Sequence, residues 1–276
     1  MPALLLAASC PHPFDPPVDA PMTVTTRDKR TLGESAYSFT LVRQLRFTRD
    51  AGGWIAELTL ESLQPDAPAL VTAAFEAGEG ALRDVPLRYR LSADGCTADP
   101  LDAAAVAARI RAGGDAMLAT RPEDDSGREN MARLTAHLRT MQAPEAAAML
   151  ADLIRPLLPS PGQRDGGAIV HTVASPVGGE MPLSGTRTVS HDANGVFVRE
   201  NYQSAAAGLL ASDIAGRTNG GATTAPSVFF TMERRQRIDA NTGMVTETAT
   251  DTTAAIPRPT GDLVQTTRES IIVGLR

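Results

Sequence analysis

Residues 37–61 read YSFTLVRQLRFTRDAGGWIAELTLE, and their alternation decides the fold. Tyr37, Phe39, Leu41, Leu45 and Phe47 fall on one face of an extended chain, broken only by Arg43, while Ser38, Thr40, Gln44, Arg46 and Thr48 fall on the other. Period two over that length predicts a long strand with one buried and one wet face, as in an antiparallel sheet. Asp50-Ala51-Gly52-Gly53 suits a tight turn, after which Trp54, Ala56, Leu58 and Leu60 alternate against Glu57, Thr59 and Glu61. The two runs are read as a hairpin.

Outward from the hairpin, residues 85–92 predict a third strand that closes at Asp94-Gly95. The period then changes. The alanine-rich residues 102–111 predict a short helix stopped by Gly113-Gly114. Ser126 with Glu129 three positions on reads as a capping box, opening a helix whose apolar stripe is Met131, Leu134, Leu138 and Met141. Pro144 and Glu145 open another, carrying Leu150, Leu153 and Ile154 and ended by Pro156 and Pro159. Residues 159–167 are a linker rich in Pro, Gly and Ser.

Strand patterns return at residues 168–173, 185–191 and 196–202, the last two flanking the turn Asp192-Ala193-Asn194-Gly195. Residues 216–226 read as a loop, and Val228, Phe230, Met232 and Ile238 as a strand. The threonine-rich residues 244–253 suit an exposed or edge strand, and residues 262–275 a final one. The fold expected is α+β, mainly antiparallel β, an open curved sheet or half-barrel with a central helical segment. Residues 1–20 are expected to be a leader and Pro-rich tether and residues 21–276 a single domain. Its two β halves, 21–98 and 168–276, would be joined by helices in 99–158.

At 276 residues with 42% hydrophobic content, the chain is long enough to build a sizeable core. A net charge of -6 argues against nucleic-acid binding, which needs a basic excess.

The N-terminus sets the compartment. The apolar run of residues 3–8 ends in Ser9-Cys10 and gives way to Pro11, Pro13, Pro16 and Pro17. With small Ala7, Ala8 and Ser9 before the cysteine, this resembles the signal peptide of bacterial lipoproteins. The resemblance implies lipidation at Cys10 and a protein on the periplasmic side of a bacterial membrane, held by its lipid anchor. Cys96 is then a single thiol; if Cys10 is not acylated in an oxidising compartment, the two can form a disulfide.

Other chemistry-bearing residues read as structure. His191 and Asp192 sit at a hairpin turn, where Asp is favoured for its backbone hydrogen bonds. Glu123-Asp124-Asp125 lacks the spacing of a calcium loop and reads as the solvated approach to a helix. Gly166-Gly167, Gly178-Gly179 and Gly220-Gly221 lack the context of a phosphate cradle. In Glu233-Arg234-Arg235-Gln236-Arg237 the charges alternate between the faces of a strand. No catalytic, metal-binding or cofactor-binding residue is assigned.

Long one-side-wet strands enclosing helices resemble the half-barrels of periplasmic lipoprotein carriers. That resemblance implies a non-enzymatic envelope lipoprotein binding a hydrophobic or lipid-like ligand. The alternative is a structural or interaction lipoprotein with a solid core that docks an envelope protein. The carrier reading needs an apolar interior larger than roughly 300 Å³, and a filled core favours the alternative.

Overall fold

The computed structural model describes residues 13–123, 125–160, 166–174, 180–193, 195–204, 228–256 and 263–275. The alternating stretches form β1 (Met22–Leu32), β2 (Ser35–Asp50), β3 (Gly53–Asp66), β4 (Pro86–Ser92) and β5 (Ala98–Pro100). After the helices come β6 (Gly167–Ala174), β7 (Glu180–Asp192), β8 (Gly195–Ser204), β9 (Phe229–Asp239), β10 (Val245–Ile256) and β11 (Leu263–Leu275). All belong to one 11-stranded antiparallel sheet of order β5-β4-β3-β2-β1-β11-β10-β9-β8-β7-β6. The fold is α+β and mainly β, as expected.

The hairpin of residues 37–61 is present, its strands longer than the alternation alone marked. Gly53 opens β3 where β4 approaches so closely that a Cβ would stand 2.3 Å from the Leu91 carbonyl oxygen. β1, which sequence reading passed over, pairs with β2 on one side and with the last strand, β11, on the other. The strands before and after the helices thereby form one sheet. β10 is a correction: the threonine-rich strand lies inside the sheet, between β9 and β11. Threonine is β-branched, so it fits a pleated ladder at the centre as well as at the edge.

The helices are α1 (Ala69–Gly80), α2 (Ala103–Ala119), α3 (Arg128–Thr140) and α4 (Ala143–Ile154), followed by a single 3-10 turn, Arg155–Leu157. α1 carries no side-chain cap and no charge in its first turn, so it left little signal in the sequence. α2 corrects the expected stop at Gly113-Gly114, because it runs through both to Ala119. The glycines are packing positions there: a Cβ on Gly113 would lie 2.9 Å from the Gly78 carbonyl oxygen of α1. The capping box expected at Ser126 and Glu129 is also corrected, since Gly127 caps α3 without a side-chain bond. The box belongs instead to α4, between Gln142 and Glu145. Leu134, expected in the apolar stripe, is 74% exposed, while Met131 and Thr135 face the core.

The close crossing of α1 and α2 gives a prediction. Ala for Gly within a helix ordinarily adds up to about 1 kcal/mol. Gly113→Ala is expected to lower the melting temperature because backbone blocks the new methyl. Gly80→Ala, with nothing within 4 Å, is expected to raise it. Thermal melts of the two variants check the sign.

The chain leaves the sheet at one edge, β5, and returns at the other, β6, so the connecting helices cross one face, termed inner here. α1 packs on β3, α4 on β5, and the 3-10 turn reaches β10, where the Thr248 hydroxyl donates to the Pro156 carbonyl at 3.0 Å. Between helices and strands lies the main core, with Leu45, Phe47, Ala56, Leu58 and Tyr89 meeting Val106, Ile110, Leu150 and Ile154. Residues 13–20 lie on the domain. Phe14 is buried edge-on against Phe47 and Trp54, the Asp15 N–H donates to the Thr242 carbonyl, and Val18 bridges to Phe47.

Candidate functional site

The inner face changes character as it passes beyond the helices. Cross-strand register places Arg187, Glu200, Arg234, Thr250, Glu269 and Asp28 opposite one another, in that order, on β7, β8, β9, β10, β11 and β1. Five charged side chains and one threonine thus cross six strands on the face that elsewhere carries the core. Glu200 is its best-buried member, with a side chain 3% exposed. Its carboxylate accepts from Arg187 at 2.6 Å and from the Tyr202 hydroxyl at 3.0 Å, and Arg234 stands 4.0 Å away. Burial and the Glu200 charge push the Tyr202 hydroxyl up to about 12, so it remains a donor. Burial lowers the pKa of Arg234, partly countered by Glu200.

On the other half of the sheet Arg43, the residue that broke the apolar face of β2, is buried too. It donates to the Thr26 hydroxyl at 3.4 Å and stands 3.9 Å from Glu79 of α1. Burial pushes the Glu79 carboxyl up, and Arg43 pulls it part of the way back. Glu269 is pushed up as well, first by burial and then by Asp28 directly opposite. A carboxyl whose pKa is raised by folding favours the folded state while protonated and weakens it as pH rises through the folded value. Glu269→Gln is therefore expected to raise the melting temperature at pH 7 and to change it little at pH 4. Equal shifts at both pH values would exclude that origin.

Further along the same strands the inner face turns apolar. Met181, Leu183, Tyr202, Phe230 and Ala254 form a cluster, with Ile169, Val173 and Met232 packed at its margin. The outer face is polar and furrowed. One furrow of about 580 Å³ runs along Ser184, Thr186, Asn201, Gln203 and Thr231, and a neighbour of about 470 Å³ carries Thr31, Thr266 and Arg268. Glu233, Asp251 and Thr253 line both. Arg235 and then Arg199 hold Glu233 ionised down to about 2, and Asp251 lies within 3.8 Å of Arg235. The apolar space between α1, α2 and the following helices is about 190 Å³, short of the roughly 300 Å³ interior that the enclosed-carrier expectation requires.

The residues weighed in the sequence fall as follows. His191 and Asp192 stand at the β7–β8 turn opposite Val196 and Gly195, with Asn194 outside the described residues. Asp125 accepts from the Gly127 N–H at 2.6 Å and pairs with Arg121 at 3.1 Å, and these two hold its carboxyl below the usual range. It shapes the turn before α3; Asp124 lies outside the described residues. Gly178-Gly179, Gly220-Gly221 and the loop 216–226 also lie outside them. In β9 the charges do alternate, Glu233, Arg235 and Arg237 outward and Arg234 inward. Among the described residues no cluster of His, Cys, Asp or Glu could hold a metal ion. Cys96 is half of a disulfide. The chain has two cysteines, and Cys10 lies outside the described residues.

Sequence reasoning missed the buried charged row. The row needs the register of six strands; Arg43, visible as a break in an apolar face, belongs to the separate contact with Glu79.

The architecture defines a class: a single open antiparallel sheet with a helical segment carried from one edge to the other across one face. No protein-family model matches the chain, and no curated protein matches it in sequence. Among solved structures, lipovitellin, in a study of its lipid–protein interactions, aligns with 92% of the chain at TM-score 0.40 and 10% identity. The chain spans a quarter of lipovitellin's length, 25%. An outer membrane channel from Pseudomonas putida F1 aligns over 97% of this chain and 100% of its own at TM-score 0.19 and 8% identity.

Proposed function

We propose that the protein is a non-enzymatic binding protein of the bacterial cell envelope that holds a hydrophobic, lipid-like ligand against the inner face of β6–β10. The observation that carries this reading is the division of that face. The helices pack on β3 and β5 and the 3-10 turn on β10, while the cluster around Leu183, Tyr202 and Phe230 lies past the charged row. The cluster's centre is already buried, so an acyl chain would lie against its half-exposed margin, Ile169, Val173 and Met232, gaining roughly 25 cal/mol for each Å² of apolar surface withdrawn from water there. The disulfide at Cys96 supports export to an oxidising compartment. Anchorage through a lipid on Cys10 would need that sulfur for a thioether, so anchor and disulfide compete for the same atom.

The test is native mass spectrometry of protein purified from a Gram-negative host, then titration of solvent-extracted protein with a pyrene-labelled fatty acid. A co-purifying apolar molecule and saturable probe binding are expected. Met232→Glu, at the margin of the patch, should weaken the probe about tenfold or more with little change in melting. An empty protein that binds no probe would sink the reading. It would favour instead an interaction protein docking an envelope partner through its outer face, a reading supported by the polar furrows shared at Glu233 and Asp251.

A further inference from the structure

The two edges of the sheet are not alike. β5 has three residues, Ala98–Pro100, and α4 packs against it. Asp99 carries charge and Pro100 lacks an N–H, both of which discourage another strand from pairing there. β6 has none of these defences. Its eight residues, GAIVHTVA, contain no proline and, with His171 neutral, no charge, and among the described residues they pair on one side only, with β7. Val170 is 76% exposed on the outer face. A long, neutral, β-branched edge is a template for strand addition.

We propose that β6 is a dimerisation edge, at which two copies of the chain pair antiparallel through Gly167–Ala174 about a two-fold axis at His171.

The occupant follows from what each edge permits. Since β5 is blocked, β6 cannot accept β5 of another copy, and head-to-tail stacking into fibres is closed off. What remains is β6 on β6, an isologous contact that closes after two subunits. The strand suits itself because it brings no like charges together. Register follows from side-chain parity. A two-fold axis perpendicular to the sheet keeps both inner faces on one side, so opposed residue numbers must both be odd or both even. Centring on Val170 would oppose Ile169 to the His171 imidazole. Centring on His171 opposes Ile169 of one copy to Val173 of the other, joining the two inner-face clusters that these residues flank. On the outer face Val170 then meets Thr172, an ordinary cross-strand pair.

The inference is independent of the ligand reading and is tested on the full chain with its disulfide intact. Sedimentation velocity is expected to give a concentration-dependent dimer. Val170→Lys with Thr172→Lys sets four lysines around the axis and should give a monomer with unchanged circular dichroism, both positions being exposed, and a melting temperature that no longer depends on concentration. On mild oxidation His171→Cys should form a covalent dimer and Val170→Cys should not. A wild-type chain that stays monomeric up to about 100 μM would overturn the proposal. So would a dimer that survives both lysines, or cross-linking at 170 and not at 171.

Discussion

Glu200→Ala is expected to cost about 3–5 kcal/mol of folding stability, read as a fall in the urea midpoint with little change in slope. The magnitude comes from what the substitution leaves behind. Glu200 is the acceptor for Arg187 and Tyr202 and stands beside Arg234. Without it Arg187 and Arg234 lose a buried carboxylate beside them, and the Tyr202 hydroxyl loses its acceptor. Removing the whole group is a different experiment. Arg187→Met, Glu200→Leu and Arg234→Met together should recover most of the loss, because well-packed apolar residues of similar volume often match a buried ion network. The variant also has a spectroscopic signature. Burial and Glu200 raise the Tyr202 pKa to about 12, so its contribution to stability is present below the ordinary tyrosine value and fades as pH rises through about 12. In Glu200→Ala the absorbance titration of Tyr202 should move down toward that ordinary value. Loss of stability without that movement would show that the two side chains are not coupled as their 3.0 Å separation implies.

The same row shows what a linear reading can and cannot recover. Period-two alternation identified β2, β3, β4 and most strands of the second half, because one face of each is buried and side-chain period is a property of the strand itself. β1 escaped because Thr23, Thr25 and Thr26 blur its alternation, and α1 because its sequence has no capping signal. Gly113 and Gly114 were misread as a stop because their role is tertiary: they let α2 approach α1 and α3. The charged row is tertiary in the same sense. Arg187, Glu200, Arg234 and Glu269 look like solvated charges on separate strands until pairing brings them opposite one another. Arg43, outside the row, announced itself as a cation inside an apolar stripe.

Cys96→Ser is the second large effect expected, a loss of about 2–5 kcal/mol, since a cross-link restricts the unfolded chain. The native fold around Cys96 is already held by other contacts. Ser92 and Asp94 bond at 2.6 Å, the Cys96 N–H donates to Asp94 at 3.1 Å, and Phe14 covers Gly95 so closely that a Cβ there would stand 2.4 Å from its ring. The variant should therefore keep its native circular dichroism while melting earlier and unfolding at lower denaturant. Thiol counting decides the chemistry of the N-terminus at the same time. Intact wild-type protein is expected to present no alkylatable thiol before reduction and both cysteines after it. One free thiol at Cys96, with a lipid mass on the Cys10 peptide, would mean that acylation has taken the sulfur. Cys96→Ser would then leave stability nearly unchanged, and tethering at the membrane would take the place of the cross-link. The two states differ in where the chain is fastened, to its own fold or to a bilayer, and a single sulfur atom cannot serve both.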